Sequence, residues 1–143
     1  MKLNFRLLML IVVLLVLPLS ACAPAAAPEE EEKPVMLEPI AGTDLNRLTL
    51  TEKAAERLGL ETAPVVAQEG QVVVPYAALL YDPSGQAWVY VNVDTLAYER
   101  QQVTVDSIDG DKAVLSKGPE AGSNVVTMGA TELFGSESEF EEE

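Results

Sequence analysis

The chain has 143 residues, with 23 acidic side chains against nine basic ones, no histidine and a net charge of −14. So acidic a chain repels phosphate backbones and anionic lipid headgroups, which excludes nucleic acid as a partner and any membrane contact through a basic patch. The missing histidine removes the commonest general base, Ser-His-Asp chemistry and His-based zinc or copper sites. With no glycine-rich phosphate loop and no carboxylate pair marked out by its context, no catalytic residue, cofactor or metal site is expected.

In chain order, Lys2 and Arg6 precede eleven apolar residues, Leu7 to Leu17. That run is short of the roughly 20 residues a membrane-spanning helix needs, and it has the charged start and apolar middle of a secretory signal. Leu19-Ser20-Ala21-Cys22 then resembles the lipobox of bacterial lipoproteins. The resemblance implies cleavage before Cys22 (signal 1–21) and acyl chains on the Cys22 thiol and new amino terminus, which would anchor the protein on the outer face of the cell membrane or the periplasmic side of the envelope. Cys22 is the only cysteine, so no disulfide can form within the chain. Residues 22–44 read as an extended, solvated tether, with Ala-Pro repeats, the run Glu29 to Glu32, Pro34 and Pro39.

Residues 45–134 are long enough for one small domain. Leu48 and Leu50 alternate. Thr51 to Leu58 is predicted to be a short helix, with Ala54, Ala55 and Leu58 on one stripe, Thr51 as N-cap and Gly59 as the stop. Leu60 to Val66 is predicted as a strand, followed by the break Gln68-Glu69-Gly70 and a strand from Val72 to Val74. Asp82-Pro83-Ser84-Gly85 has turn chemistry. Ala87 to Val93 alternates, with Ala87, Val89, Val91 and Val93 on one face and Trp88, Tyr90 and Asn92 on the other. A longer strand is predicted from Leu96 to Val105. A hairpin follows at Asp109-Gly110, then strands over 113–116 and 124–128, and one helical turn over 129–134. Residues 135–143, with five glutamates and one phenylalanine, read as an acidic tail. Short strands with turns every 8–12 residues imply a mainly β fold, a small barrel or sandwich with one short helix.

The stretch from Val72 to Leu133 resembles the C-terminal part of the periplasmic adaptor subunits, or membrane fusion proteins, of RND-type efflux pumps. The residues that carry the likeness are Val74-Pro75, Leu79-Leu80, Gly85, Val89 to Val93, Arg100, Val103 and Val105, Gly118 and Gly122, Val125-Val126 and Gly129. Val105-Asp106, where the family often has a glycine, and Lys117-Gly118-Pro119, where Gly-Leu is commoner, depart from it. The resemblance implies the membrane-proximal, permuted SH3-like β-domain. The stretch LTLTEKAAERLGLETAPVV is similar to the segment with which adaptors begin their folded part. In a full adaptor the two stretches are separated by a β-barrel, a lipoyl-like domain and a helical hairpin, so Gln68-Glu69-Gly70 stands where that middle would be.

Three roles follow as expectations. An adaptor-like protein would contact an inner-membrane transporter or a full-length adaptor and serve transmembrane transport. A stand-alone lipoprotein would bind a cell-wall or peptide ligand on an SH3-like groove. An acidic lipoprotein could buffer metal ions. Trp88 and Tyr90 are candidates for a partner-contact face, or for a sheet face packed beneath the helix. Arg100 is a candidate for a partner's carboxylate, or for an acid within the domain. Asp106, Asp109 and Asp111 crowd one turn without completing a calcium-loop motif. Gly85, Gly110, Gly118 and Gly122 are expected to serve backbone turns.

Overall fold

The computed structural model describes residues 33–139. The predicted signal segment and Cys22 lie outside the described residues, as do residues 22–32 of the predicted tether and the end of the predicted tail.

The chain is mainly β, as expected. Its strands are β1 (Val35–Pro39), β2 (Asn46–Leu50), β3 (Glu61–Pro64), β4 (Val66–Gln68), β5 (Gln71–Pro75), β6 (Leu80–Tyr81), β7 (Ala87–Asp94), β8 (Ala97–Gln102), β9 (Thr104–Asp109), β10 (Lys112–Lys117) and β11 (Asn124–Met128). Two helices, α1 (Glu52–Leu58) and α2 (Ala130–Glu139), join them. One sheet runs β1-β2-β8-β7-β11-β3, with β6 added on β7, and the other runs β4-β5-β10-β9. All pairings are antiparallel, and neither sheet closes into a barrel, so the sandwich alternative is the one realised.

Local chemistry explains α1. The Thr51 hydroxyl accepts from Ala54 N at 3.2 Å, capping one orphan donor of the first turn. At the other end Gly59 takes a left-handed conformation, Gly59 N donates to Glu56 O and Leu60 N to Ala55 O, the paired bonds of a Schellman stop.

Four elements differ from the sequence expectation, each for a physical reason. Val35 to Pro39, read as tether, is strand β1, with Val35 opposite Leu50 and Leu37 opposite Leu48. Its one proline, Pro39, is tolerated because β1 is an edge strand, where a missing N–H breaks no ladder. The run from Leu60 to Val66 is two strands in two sheets. The chain changes sheet at Val65, whose N–H and C=O bond to Ser123 O and Gly122 N rather than to either ladder. The run from Leu96 to Val105 divides in the same way at Val103, whose N–H goes to Ala87 O. The predicted single helical turn over 129–134 is the ten-residue helix α2, which extends into the predicted acidic tail. Of the four turn glycines, Gly85, Gly110 and Gly122 do have positive φ, whereas Gly118 does not; there a Cβ would meet Leu115 Cδ1 at 2.7 Å.

The larger sheet is buried on both sides, which gives two cores. On one side Leu48, Leu50, Ala54, Tyr90, Tyr98, Val126 and Leu133 pack between that sheet and the helices. On the other, Val65, Val74, Ala78, Val89, Val103, Ala113, Leu115 and Val125 pack between the sheets. Strand β7 therefore buries Val89 and the neighbouring Tyr90 completely, one into each core.

Candidate functional site

The three residues singled out for partner contact are brought together, and α2 lies over them. Tyr90 stands opposite Arg100 across the β7–β8 ladder, and Trp88 lies two residues along β7 on the same face. The Arg100 guanidinium carbon is 4.7 Å from the Trp88 ring centroid and 5.0 Å from that of Phe134 on α2. A cation close to two aromatic rings and largely out of water is a favourable arrangement, because the ring faces carry negative potential.

Beside these rings lies Glu137 of α2, only 1% exposed. Its Oε2 accepts a hydrogen bond from the Tyr90 hydroxyl at 2.7 Å, and its Oε1 accepts from Asn46 N at 3.4 Å. Arg100 Nε is 3.2 Å from the same Oε2. That contact is an ion pair rather than an aligned hydrogen bond, and Nε, though buried, makes no hydrogen bond. Burying a carboxylate is tolerable only where a cation and donors meet it, and here β2, β7 and β8 each supply one.

The far edge of the cluster is fixed by the 82–86 turn. Asp82 Oδ1 accepts from Ser84 N (2.8 Å), Ser84 Oγ (2.6 Å) and Gln86 N (2.9 Å), while Oδ2 accepts from Trp88 Nε1 at 2.9 Å. The hydrogen bonds from Ser84 and then Trp88 hold the Asp82 carboxyl down from 3.8 to about 2. A turn predicted only to reverse the chain thus also orients the indole.

Arg100 therefore meets an acid of its own domain. Tyr90 is fully buried and Trp88 half-buried, so the pair is a packed sheet face, not an exposed one. The covering Phe134 and Glu137 belong to α2 rather than to α1. Phe134, Glu137 and Asp82 were not singled out in the sequence. The spacing Leu133-Phe134-x-x-Glu137 was the available signal, since it puts an apolar pair and an acid on one helix face. Asp106, Asp109 and Asp111 are exposed, and among the described residues no three His, Cys, Asp or Glu side chains could together hold a metal ion. Among the described residues no helix is long and apolar enough to cross a membrane.

Residues 71–132 match the family described as RND MFPs, C-terminal permuted SH3 domain. The match opens on the first residue of β5 and closes in the first turn of α2. It contains Asp82, Trp88, Tyr90 and Arg100, and ends before Phe134 and Glu137. No curated protein and no solved structure matches the chain. Over residues 71–132 the chain is thus similar to the C-terminal permuted SH3 domain of RND membrane fusion proteins, which supports a membrane-proximal adaptor domain in this part of the molecule.

Proposed function

We propose that this is an exported envelope protein, held to the membrane by lipid on Cys22, whose adaptor-type domain acts by contact with an inner-membrane transporter or with a full-length adaptor. The match of residues 71–132 to the adaptor domain family carries this reading. The leader supports it: a charged start, eleven apolar residues and Leu19-Ser20-Ala21-Cys22 together make an export and acylation signal. A role by contact is supported by the same match, since the matched family is an adaptor domain, while the buried polar cluster around Arg100 is closed by α2.

The experiment is mild cross-linking in the native membrane, detergent extraction and capture of the tagged chain. A transporter or adaptor subunit recovered in fixed proportion supports the reading. Recovery of cell-wall fragments instead, retained at high salt, would replace it with the ligand-binding alternative. Metabolic acyl labelling tests the anchor: the wild type should incorporate label and Cys22→Ser should not.

A further inference from the structure

We propose that strand β9 is an open edge that takes up one further strand, an extended segment of a partner protein in which Lys or Arg alternates with apolar residues. Among the described residues the other outer strands are closed to pairing. Strand β1 follows Pro34 and ends on Pro39, and β3 ends on Pro64; proline cannot donate to a ladder. Strand β4 has only three residues and β6 only two. Strand β9 has six residues and no proline, and all but Val105 are exposed. It pairs with β10 on one side, and no backbone-to-backbone hydrogen bond of residues 104–109 leaves that ladder. Its outward N–H and C=O groups are therefore free to pair with a strand laid beside them.

Alternation along β9 sets what that strand must carry on each face. Ile108 stands opposite Ala113, which stands opposite Val74, and both of these lie in the core between the sheets. Ile108 is thus on the inward face, yet it is 50% exposed, because β9 has no outer neighbour to cover it. Val105, opposite Leu115, shares that face and is half-buried. Apolar residues on the added strand would cover Ile108 and extend the core by one strand. Asp109, opposite Lys112, points to the other face, where the added strand meets water and charge.

Charge identifies the occupant. Asp106, Asp109 and Asp111 are all exposed on the β9–β10 hairpin, and among the described residues none has an ion pair or a side-chain hydrogen bond. That sets them apart from Glu99, paired with Arg47, from Glu137, paired with Arg100, and from Asp82, held by its own turn. Three uncompensated carboxylates along one edge attract a strand with cations at alternate positions. They also reject a second copy of this chain, since β9 laid against β9 would oppose like charges. The inference deepens the contact reading above, and rests on it, by naming the chemistry of the partner's segment.

The test uses the full chain in detergent, with the peptide Lys-Val-Lys-Val-Lys-Val-Lys as probe. Added peptide should slow amide hydrogen exchange at alternate residues of 104–109 by about tenfold, read by NMR, and leave β1, β3 and β4 unchanged. Binding should weaken as salt rises, and Glu-Val-Glu-Val-Glu-Val-Glu should not bind. The triple variant Asp106→Lys, Asp109→Lys, Asp111→Lys should reverse the preference, taking the acidic peptide and refusing the basic one. If that variant does not fold, the salt series and the acidic peptide on the wild type decide. No protection at β9, protection on another edge instead, or equal binding of the two peptides would each overturn the proposal. Peptide binding at β9 with no transporter or adaptor recovered by cross-linking would leave the open edge standing and remove only the transporter reading.

Discussion

Glu137 places a carboxylate where water does not reach, and Arg100 is the cation that makes this tolerable. Removing one member of a buried pair leaves the other uncompensated, which destabilises far more than the pair's own net contribution. Glu137→Gln is therefore expected to lower stability by about 3 kcal/mol. Urea unfolding followed by the fluorescence of Trp88, the sole tryptophan, measures it. An Arg100→Met, Glu137→Met double variant should be less destabilised than the two single losses summed, because it removes both charges. At Asp82 the effect is one of pH. Its carboxyl is held at about 2, below its ordinary 3.8, by the Ser84 and Trp88 hydrogen bonds. The folded state thus binds its proton less readily than the unfolded one. The stabilisation is fully present above about pH 4 and is lost as pH falls towards 2. Asp82→Asn should flatten the fall in stability between pH 5 and 2 relative to wild type. Equal slopes for the two chains would refute the assignment.

Among the elements, the β4–β5 hairpin carries visible strain. Val66 pairs with Val73 and Gln68 with Gln71, leaving Glu69-Gly70 as a two-residue turn with φ of 52° and 81°. Both positions are left-handed, the type I′ pattern, in which asparagine is at home in the first position and glutamate is not. Glu69→Asn should raise stability by about 0.5–1 kcal/mol, read as a melting temperature higher by a few degrees. This turn was legible in the sequence, as were α1 and the Asp109-Gly110 hairpin, because each depends on residues within a few positions of one another. The breaks at Val65 and Val103 were not. A run of β-branched residues looks the same whether its strand stays in one sheet or crosses to the next. Strand β1 was hidden by Pro34 and Pro39, which exclude a central strand but not an edge. Helix α2 was hidden by Gly135 and its serines, and its stability comes from Leu133 and Glu137 in the core. The site was legible to the same degree. Arg100, Trp88 and Tyr90 stand out by type and by alternation on neighbouring strands, whereas Phe134 and Glu137 acquire a role only through the helix that carries them.

At the scale of the whole molecule, the adaptor match begins at Gln71, just past the Glu69-Gly70 turn. Strands before that turn are built into both sheets: β2 pairs with β8, β3 with β11 and β4 with β5. The domain is thus two segments interleaved, joined at an exposed two-residue hairpin. The ends of that hairpin are held together by the β4–β5 ladder, so material inserted between Glu69 and Gly70 need not separate them. Loop closure grows only with the logarithm of loop length, which keeps a long insertion inexpensive where its ends stay adjacent. A folded module with neighbouring termini placed between Glu69 and Gly70 should therefore leave the melting temperature close to that of the parent. The same module placed within β7 should abolish cooperative unfolding, because β7 pairs with β6, β8 and β11 and buries side chains on both faces. Calorimetry of the two chimaeras distinguishes these outcomes. If both fail to fold, the hairpin is an integral part of the fold and not a seam that can carry a larger insertion.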